Sequence, residues 1–141
     1  MIEGGCLCGS VRYAITEPAL QTCLCHCEDC RRASGAHAVA WTFFATGSLQ
    51  WTRGKPKMIR FAERERFFCE DCGTPLMFFD PAIPHLFEVT TCSLDQPDLF
   101  PPQDQCWVAD AVAWAKEIHA LPSYDQYSPL PVIDFPAPPA D

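Results

Sequence analysis

The sequence predicts a mainly β fold of short strands and few helices, in which bound metal helps to stabilise a modest core. Three observations lead to this prediction. The 141 residues include 14 prolines and seven glycines, which favour strands joined by turns over long helices. Short runs of alternating, β-branched or aromatic residues recur between the turns. Eight of the ten cysteines stand in three tight clusters, where the thiols are poorly placed to form disulfides with one another.

Each predicted element rests on a local pattern. Val11, Tyr13 and Ile15 alternate with more polar neighbours, as in a half-buried strand. A β-branched and aromatic run predicts a buried strand at residues 39–45, and a turn then leads to a strand beginning at Leu49. Further short strands are predicted at residues 57–61, 64–68, 76–79, 86–90 and 106–108. One helix is predicted over residues 111–120, with Asp110 as its N-cap, because its apolar residues are spaced i, i+3, i+4 and i+7.

The length predicts a single domain. Residues 128–141 hold five prolines and are expected to form an extended tail, so the domain is expected to span residues 1–127. The sequence has no apolar run of membrane-spanning length, and residues 1–6 lack the basic and apolar stretches of a signal peptide. We therefore expect a cytoplasmic protein without a membrane partner, in which clustered cysteines bind metal or catalyse.

The charge of the chain argues against nucleic acid as a partner, since the formal net charge is −8. The charge is uneven, because basic residues gather at residues 53–66 and at Arg31 and Arg32, whereas residues 67–141 are strongly acidic. The basic part is suited to attract a small anionic ligand, and a solvated basic strand or loop is the alternative.

Two distant cysteine pairs share one pattern. Cys6-x-Cys8 precedes Gly9, and Cys69-x-x-Cys72 precedes Gly73. A short spacing followed by glycine can form a knuckle that directs two sulfurs to one point, and two knuckles supply the four thiolates of a structural Zn²⁺ site. Such a site would join the N-terminal segment to the middle of the chain. A thioredoxin-like redox pair is the alternative for the second pair, although no βαβ pattern surrounds it.

A third cluster, Cys25-x-Cys27-x-x-Cys30, offers three sulfurs within six residues. Three ligands can hold Zn²⁺ and leave its fourth position open for a substrate or water. The alternatives are a closed site completed by Cys23, His26 or His37, and an iron–sulfur cluster, whose usual spacings differ. Outside the clusters, Cys92 and Cys106 are expected in the core, and Cys23 is expected to be a small buried residue.

Three segments carry a family resemblance. GGCLCGSVRY at residues 4–13, CHCEDCRRASGA at residues 25–36 and RFFCEDCGTPL at residues 66–76 resemble, in order, three signatures of the glutathione-dependent formaldehyde-activating enzyme family. This family includes centromere-protein-V-like proteins, and the similarity spans about 120 residues in three ordered motifs. The resemblance implies the Mss4-like fold, a tent of short antiparallel β-strands joined by zinc.

The resemblance also implies two zinc ions with different tasks. The implied ligands of the structural zinc are Cys6, Cys8, Cys69 and Cys72, and those of the catalytic zinc are Cys25, Cys27 and Cys30. The enzyme that names the family condenses glutathione with formaldehyde to S-hydroxymethylglutathione. We therefore expect a zinc-dependent carbon–sulfur lyase-type enzyme acting on glutathione, or a similar small thiol, and a small aldehyde. The alternative is a non-catalytic zinc module that binds a protein or a small-thiol partner.

Overall fold

Short strands make up most of the regular structure in the computed structural model, which describes residues 1–129. The strands are β1 (Ile2–Gly5), β2 (Arg12–Ile15), β3 (Gln21–Cys25), β4 (Val39–Ala45), β5 (Leu49–Arg53), β6 (Lys57–Phe61), β7 (Arg64–Phe68), β8 (Pro75–Phe79), β9 (Leu86–Thr90) and β10 (Asp104–Cys106). The predicted mainly β fold is confirmed. The strands predicted at residues 39–45, 57–61, 64–68 and 86–90 have the predicted bounds.

The strands form two sheets. β1, β2 and β5 make a three-stranded antiparallel sheet, and the other strands make a seven-stranded sheet in the order β10-β3-β4-β9-β8-β7-β6. All pairings between neighbouring strands are antiparallel except that of β10 with β3, which is parallel. The expected antiparallel arrangement therefore holds except at the β10 edge.

Helical structure is sparse in the described part of the chain. The α-helix α1 (Glu28–Ser34) follows β3, and its C-cap Gly35 adopts the left-handed conformation with φ of 66°. The 3₁₀ helices are Thr91–Ser93, Pro97–Leu99, Val108–Asp110 and Ala113–Ala120.

The helix predicted over residues 111–120 is a 3₁₀ helix, Ala113–Ala120, and its N-cap is Val112 rather than Asp110. Asp110 belongs to the preceding 3₁₀ helix, where its backbone N–H donates to the carbonyl of Trp107. The strand predicted at residues 106–108 ends at Cys106, because Trp107 turns the chain into the left-handed region with φ of 56°.

The side chains on the two faces of the large sheet contribute to two different apolar clusters. Successive side chains of a strand alternate between faces. On one face, Phe44, Phe87 and Val89 join a cluster with Tyr13 and Ile15 of the small sheet. The other face carries a second cluster of Cys23, Cys25, Cys30, Val39 and Trp41. The first cluster holds the sheets together, and the second forms the base of a cavity.

The expected domain of residues 1–127 falls within the described region, whereas residues 130–141 of the predicted tail lie outside it. None of the helices between residues 1 and 129 has the length and apolar character needed to cross a bilayer.

Candidate metal centres and active-site cavity

The two outer cysteine pairs converge. Cys6 and Cys8 lie in the turn between β1 and β2, and Cys69 and Cys72 lie in the turn between β7 and β8. Their four Sγ atoms all lie within 4.8 Å of one another. Cys8 Sγ bridges the pairs, at 3.5 Å from Cys6 Sγ and 3.8 Å from Cys69 Sγ. The predicted convergence of these thiols is confirmed.

The two turns have the same construction. The backbone N–H of Gly9 donates to Cys6 O at 3.1 Å, and that of Gly73 donates to Cys69 O at 2.8 Å. Both glycines have left-handed φ values, 76° and 74°, which disfavour other residues. This repeated knuckle explains why each cysteine pair is followed by glycine in the sequence.

Polar groups contact the sulfurs of Cys6 and Cys72. The Val11 N–H donates to Cys6 Sγ at 3.2 Å, and the Thr74 hydroxyl lies 3.1 Å from Cys72 Sγ. Hydrogen bonds, first of all from the Thr74 hydroxyl and then from the backbone N–H groups of Thr74 and Cys8, lower the pKa of Cys72 to about 6. Four convergent sulfurs with these donors fit a tetrahedral ion such as Zn²⁺.

The middle cysteines form a second group at the start of α1. Cys25 ends β3, Cys27 is the N-cap of α1, and Cys30 lies in the first turn, where its N–H donates to Cys27 Sγ at 3.3 Å. The three Sγ atoms lie within 4.8 Å of one another, so this donor set also fits Zn²⁺. A thiol at the N-cap position therefore both starts the helix and joins the group.

The residues considered as a fourth ligand lie elsewhere. Within residues 1–129, neither Cys23, His26 nor His37 joins the group of three sulfurs. His26 turns towards β10, where its Nε2 lies 2.9 Å from Gln105 Oε1. His37 packs beside Trp114, with ring centroids 5.5 Å apart.

The three-cysteine group opens on a cavity of about 430 Å³ above the second apolar cluster. A row of paired residues crosses the sheet at its base. Arg66 of β7 pairs with Phe78 of β8, which pairs with Glu88 of β9, which pairs with Phe43 of β4. All four residues line the cavity. Its volume lies within the range of small-ligand pockets, about 300 to 1,000 Å³.

Glu88 lies between the aromatic rings of Phe43 and Phe78 on this face. Burial among them raises the pKa of the carboxyl to about 7, although the charge of Arg66 favours the ionised form. The charge of Asp80 acts in the same direction as burial. Glu88 can therefore accept or release a proton near neutral pH.

Two arginines bring positive charge to the cavity. The Arg66 guanidinium lies 4.8 Å from the centroid of the Phe78 ring, and its Nη2 is 3.8 Å from Cys30 Sγ. Arg64 instead pairs with Asp29 at 3.6 Å and with Asp80 at 3.3 Å. In the described part of the chain Arg66 forms no ion pair, so its charge is available to a ligand.

The remaining cysteines depart in part from expectation. Cys23 is buried, as expected, but its Sγ lies 3.6 Å from Cys106 Sγ and both residues line the cavity. Cys106 is only half-buried in the edge strand, and burial raises the pKa of its thiol to about 11. The core position predicted for Cys92 is wrong, since the 3₁₀ helix Thr91–Ser93 leaves it exposed.

Sequence reasoning missed the acidic and aromatic parts of the cavity. Glu88 is the only charged residue of the predicted strand at residues 86–90, and a carboxyl within an apolar run is a signal that could have identified it. Phe43, Phe78 and Trp41 carry no such signal, because only the strand order brings them beside the cysteines.

A family model and two relatives found by comparison with known proteins point to the same family. The model of a family described as glutathione-dependent formaldehyde-activating enzyme matches residues 1–110. An uncharacterized lyase of Schizosaccharomyces pombe is 35% identical over 78 residues, which cover 54% of this chain and 56% of the yeast protein. The chain thus spans little more than half the length of that relative. A Halomonas elongata protein, provisionally named a glutathione-dependent formaldehyde-activating enzyme, is 26% identical over 112 residues, covering 73% of this chain and 71% of its own length.

A solved structure supports the fold. The crystal structure of a Rhodobacter sphaeroides protein aligns with a TM-score of 0.58 at 20% identity, covering 73% of this chain and 98% of the other. At that identity the similarity concerns the fold alone. The family model, by contrast, matches most of the sequence and includes both convergent cysteine groups. The chain therefore belongs to the glutathione-dependent formaldehyde-activating enzyme family.

Proposed function

We propose that the chain is a zinc-dependent enzyme of the carbon–sulfur lyase type. Its substrates are a small thiol, glutathione or a similar one, and a small aldehyde such as formaldehyde. The observation that carries the proposal is the group of Cys25, Cys27 and Cys30 at the wall of the cavity, without a fourth ligand from residues 1–129. Family membership and the names of the two relatives support the same class of reaction.

In this proposal the two cysteine groups hold zinc ions with different functions. Cys6, Cys8, Cys69 and Cys72 hold a structural zinc, and Cys25, Cys27 and Cys30 hold the catalytic one. When bound at the second group, Zn²⁺ supplies Lewis-acid chemistry that favours a thiolate or polarises an aldehyde oxygen. The cavity beside the group is large enough to hold a small thiol and an aldehyde together.

Glu88 is proposed as the acid–base group of the cavity. The addition of a thiol to an aldehyde forms a carbon–sulfur bond, removes the thiol proton and adds a proton to the oxygen. A carboxyl with a pKa of about 7 can take the first proton and supply the second near neutral pH. The reverse reaction uses the same proton transfers in the opposite order.

Arg66 is proposed to bind a carboxylate of the thiol substrate. Its guanidinium is held over the Phe78 ring and has no carboxylate partner in the described chain. An arginine in that condition offers two parallel N–H donors to a carboxylate. This role gives a positive contact to an anionic thiol in a cavity that otherwise carries several acidic residues.

The test is the rate of exchange between free glutathione and its formaldehyde adduct at equilibrium, measured by NMR exchange spectroscopy with zinc-loaded protein. The proposal predicts exchange faster than the spontaneous reaction, and a return to the spontaneous rate in Cys27→Ser. Cys92→Ser is the matched control, because Cys92 is exposed and belongs to neither group. Exchange at the spontaneous rate with the native protein would remove the assignment and favour the non-catalytic zinc module.

A further inference from the structure

Two cysteines outside the metal-holding groups face each other in the cavity wall. Cys23 lies in β3 and Cys106 in β10, and their Sγ atoms are 3.6 Å apart across the parallel pairing of these strands. Both line the same cavity as the three-cysteine group. Cys92, by contrast, is exposed and lies in a 3₁₀ helix away from these strands.

The two thiols differ in accessibility. Cys23 is 5% exposed, whereas Cys106 is half-buried in a three-residue strand at the edge of the sheet. Cys106 is therefore the more accessible of the two thiols, and Cys23 lies beside it in the cavity wall. In thiol–disulfide exchange an accessible thiol can form the mixed disulfide, and an adjacent thiol can resolve it. Because burial raises the pKa of the Cys106 thiol to about 11, the exchange is expected to be slow at neutral pH.

We propose that Cys23 and Cys106 form a redox-active dithiol that exchanges with small disulfides, of which glutathione disulfide is the simplest probe. Cys106 attacks one sulfur of the small disulfide, which forms a mixed disulfide and releases one thiol. Cys23 then attacks Cys106, which closes the protein disulfide and releases the second thiol. The protein loses two electrons and two protons, and the small disulfide gains both to become two thiols.

The bond requires movement of the edge strand, because the register places Cys106 opposite Cys25 and Cys23 opposite Asp104, so the two cysteines are diagonal neighbours. A disulfide has an S–S length of about 2.05 Å, so the sulfurs must approach by roughly 1.5 Å. β10 pairs with a neighbouring strand on one side only and ends at Trp107, where the chain turns into the left-handed region. A short strand held on one side only can move more readily than a strand in the centre of the sheet.

Movement of β10 would also shift residues of the three-cysteine group, because β10 is hydrogen-bonded to the segment that carries them. The His26 N–H donates to Cys106 O at 3.0 Å, and His26 Nε2 contacts Gln105 Oε1. His26 lies between Cys25 and Cys27, so oxidation of the dithiol displaces the segment that carries two of the three sulfurs. Oxidation or reduction of the Cys23–Cys106 dithiol by small disulfides and thiols would therefore change the arrangement of the cysteines that line the cavity. The inference goes beyond the proposed lyase function, because the exchange needs neither metal nor aldehyde.

The experiment treats metal-bearing protein with glutathione disulfide under anaerobic conditions and follows its intact mass. All variants carry Cys92→Ser, which removes the exposed thiol. The reference protein is expected to lose two hydrogens and to retain no adduct. With Cys23→Ser added, one glutathionyl group is expected to accumulate on Cys106, because the resolving thiol is missing. With Cys106→Ser added, neither change is expected. Metal content and circular dichroism show whether each variant is folded.

Peptide mapping of the oxidised reference protein tests the pairing without relying on the further variants. Fragmentation of the unreduced peptides is expected to join Cys23 to Cys106. A disulfide between Cys106 and Cys25, whose sulfurs are also in contact, would overturn the proposal. So would a stable mixed disulfide on the reference protein, or the absence of any reaction under conditions that oxidise a free dithiol peptide.

Discussion

Single side chains around the cavity have distinct physical roles. Cys27 accepts a hydrogen bond from the backbone of Cys30, as serine does at other helix starts, and keeps its sulfur beside those of Cys25 and Cys30. Glu88 and Arg66 lie on either side of Phe78 in one row across the sheet, so the ring separates opposite charges. Within residues 1–129 no ion pair joins the Arg66 guanidinium to the Glu88 carboxyl, so both groups remain available to a ligand.

Glu88→Gln is expected to lower kcat/KM about 10²- to 10⁴-fold at neutral pH and to remove the pH dependence near pH 7. The reason is that glutamine preserves the shape of the side chain but cannot transfer the proton. The measurement is a pH–rate profile of the adduct exchange. Glu17→Gln, at an exposed position outside the cavity, should leave the profile unchanged.

The same carboxyl predicts a pH dependence of stability. The pKa of Glu88 rises from 4.5 to about 7 on folding, so the folded protein holds a proton that the unfolded chain releases. The free energy of unfolding should therefore fall as pH rises between these values, by at most about 3 kcal/mol, relative to Glu88→Gln. Chemical denaturation across this pH range checks the prediction. Parallel stability curves for the two proteins would contradict it.

Arg66→Met is expected to raise the KM for an anionic thiol about tenfold with little change in kcat, because a charged contact to the substrate is worth about 1 to 2 kcal/mol. The comparison uses glutathione and a thiol without carboxylates. Arg60→Met is the control, since Arg60 belongs to the neighbouring strand and pairs with Glu65 outside the cavity. An equal loss for both thiols would assign Arg66 a purely structural role.

At the level of elements, β3, α1 and β4 build the second metal group together. β3 ends at Cys25, the N-cap of α1 and its first turn supply Cys27 and Cys30, and Gly35 ends the helix before the chain enters β4. The helix has only seven residues, so its stability depends on these terminal contacts rather than on its length.

Gly35→Ala is expected to destabilise α1 by about 1 kcal/mol, because a Cβ is disfavoured at a left-handed C-cap. The consequence should be faster loss of metal from the three-cysteine group during titration with a chelator. Gly47→Ala has a similar backbone constraint, with φ of 92°, in the turn between β4 and β5. It should lower overall stability by a similar amount without changing metal release from that group.

The sequence predicts some elements better than others for physical reasons. β4 and β9 carry aromatic and β-branched residues, so their bounds could be predicted directly from the sequence. β1 contains two glycines and β3 contains two cysteines, and neither shows clear alternation. The sequence pattern does not predict α1, because the helix is short and its N-cap is a cysteine. The cysteine groups were predictable from spacing, whereas Glu88 and Arg66 meet the cavity only through the strand order.

The molecule as a whole is a pair of sheets joined at one end by the four-cysteine group. Cys6 and Cys8 follow β1 of the small sheet, and Cys69 and Cys72 connect β7 and β8 of the large one. The three-cysteine group lies on the opposite face of the large sheet, beside the cavity. Loss of metal from the two groups should therefore have different consequences for the protein.

Native mass spectrometry of the zinc-loaded chain and two variants compares these consequences directly. We predict two zinc ions in the native protein. Cys27→Ser should keep one zinc and a compact charge-state distribution, because the group that joins the sheets is intact. Cys69→Ser should shift to the extended distribution of an unfolded chain. A native protein with a single zinc, a Cys27→Ser protein that still holds two, or a fully compact Cys69→Ser protein would contradict the division between a structural and a cavity metal.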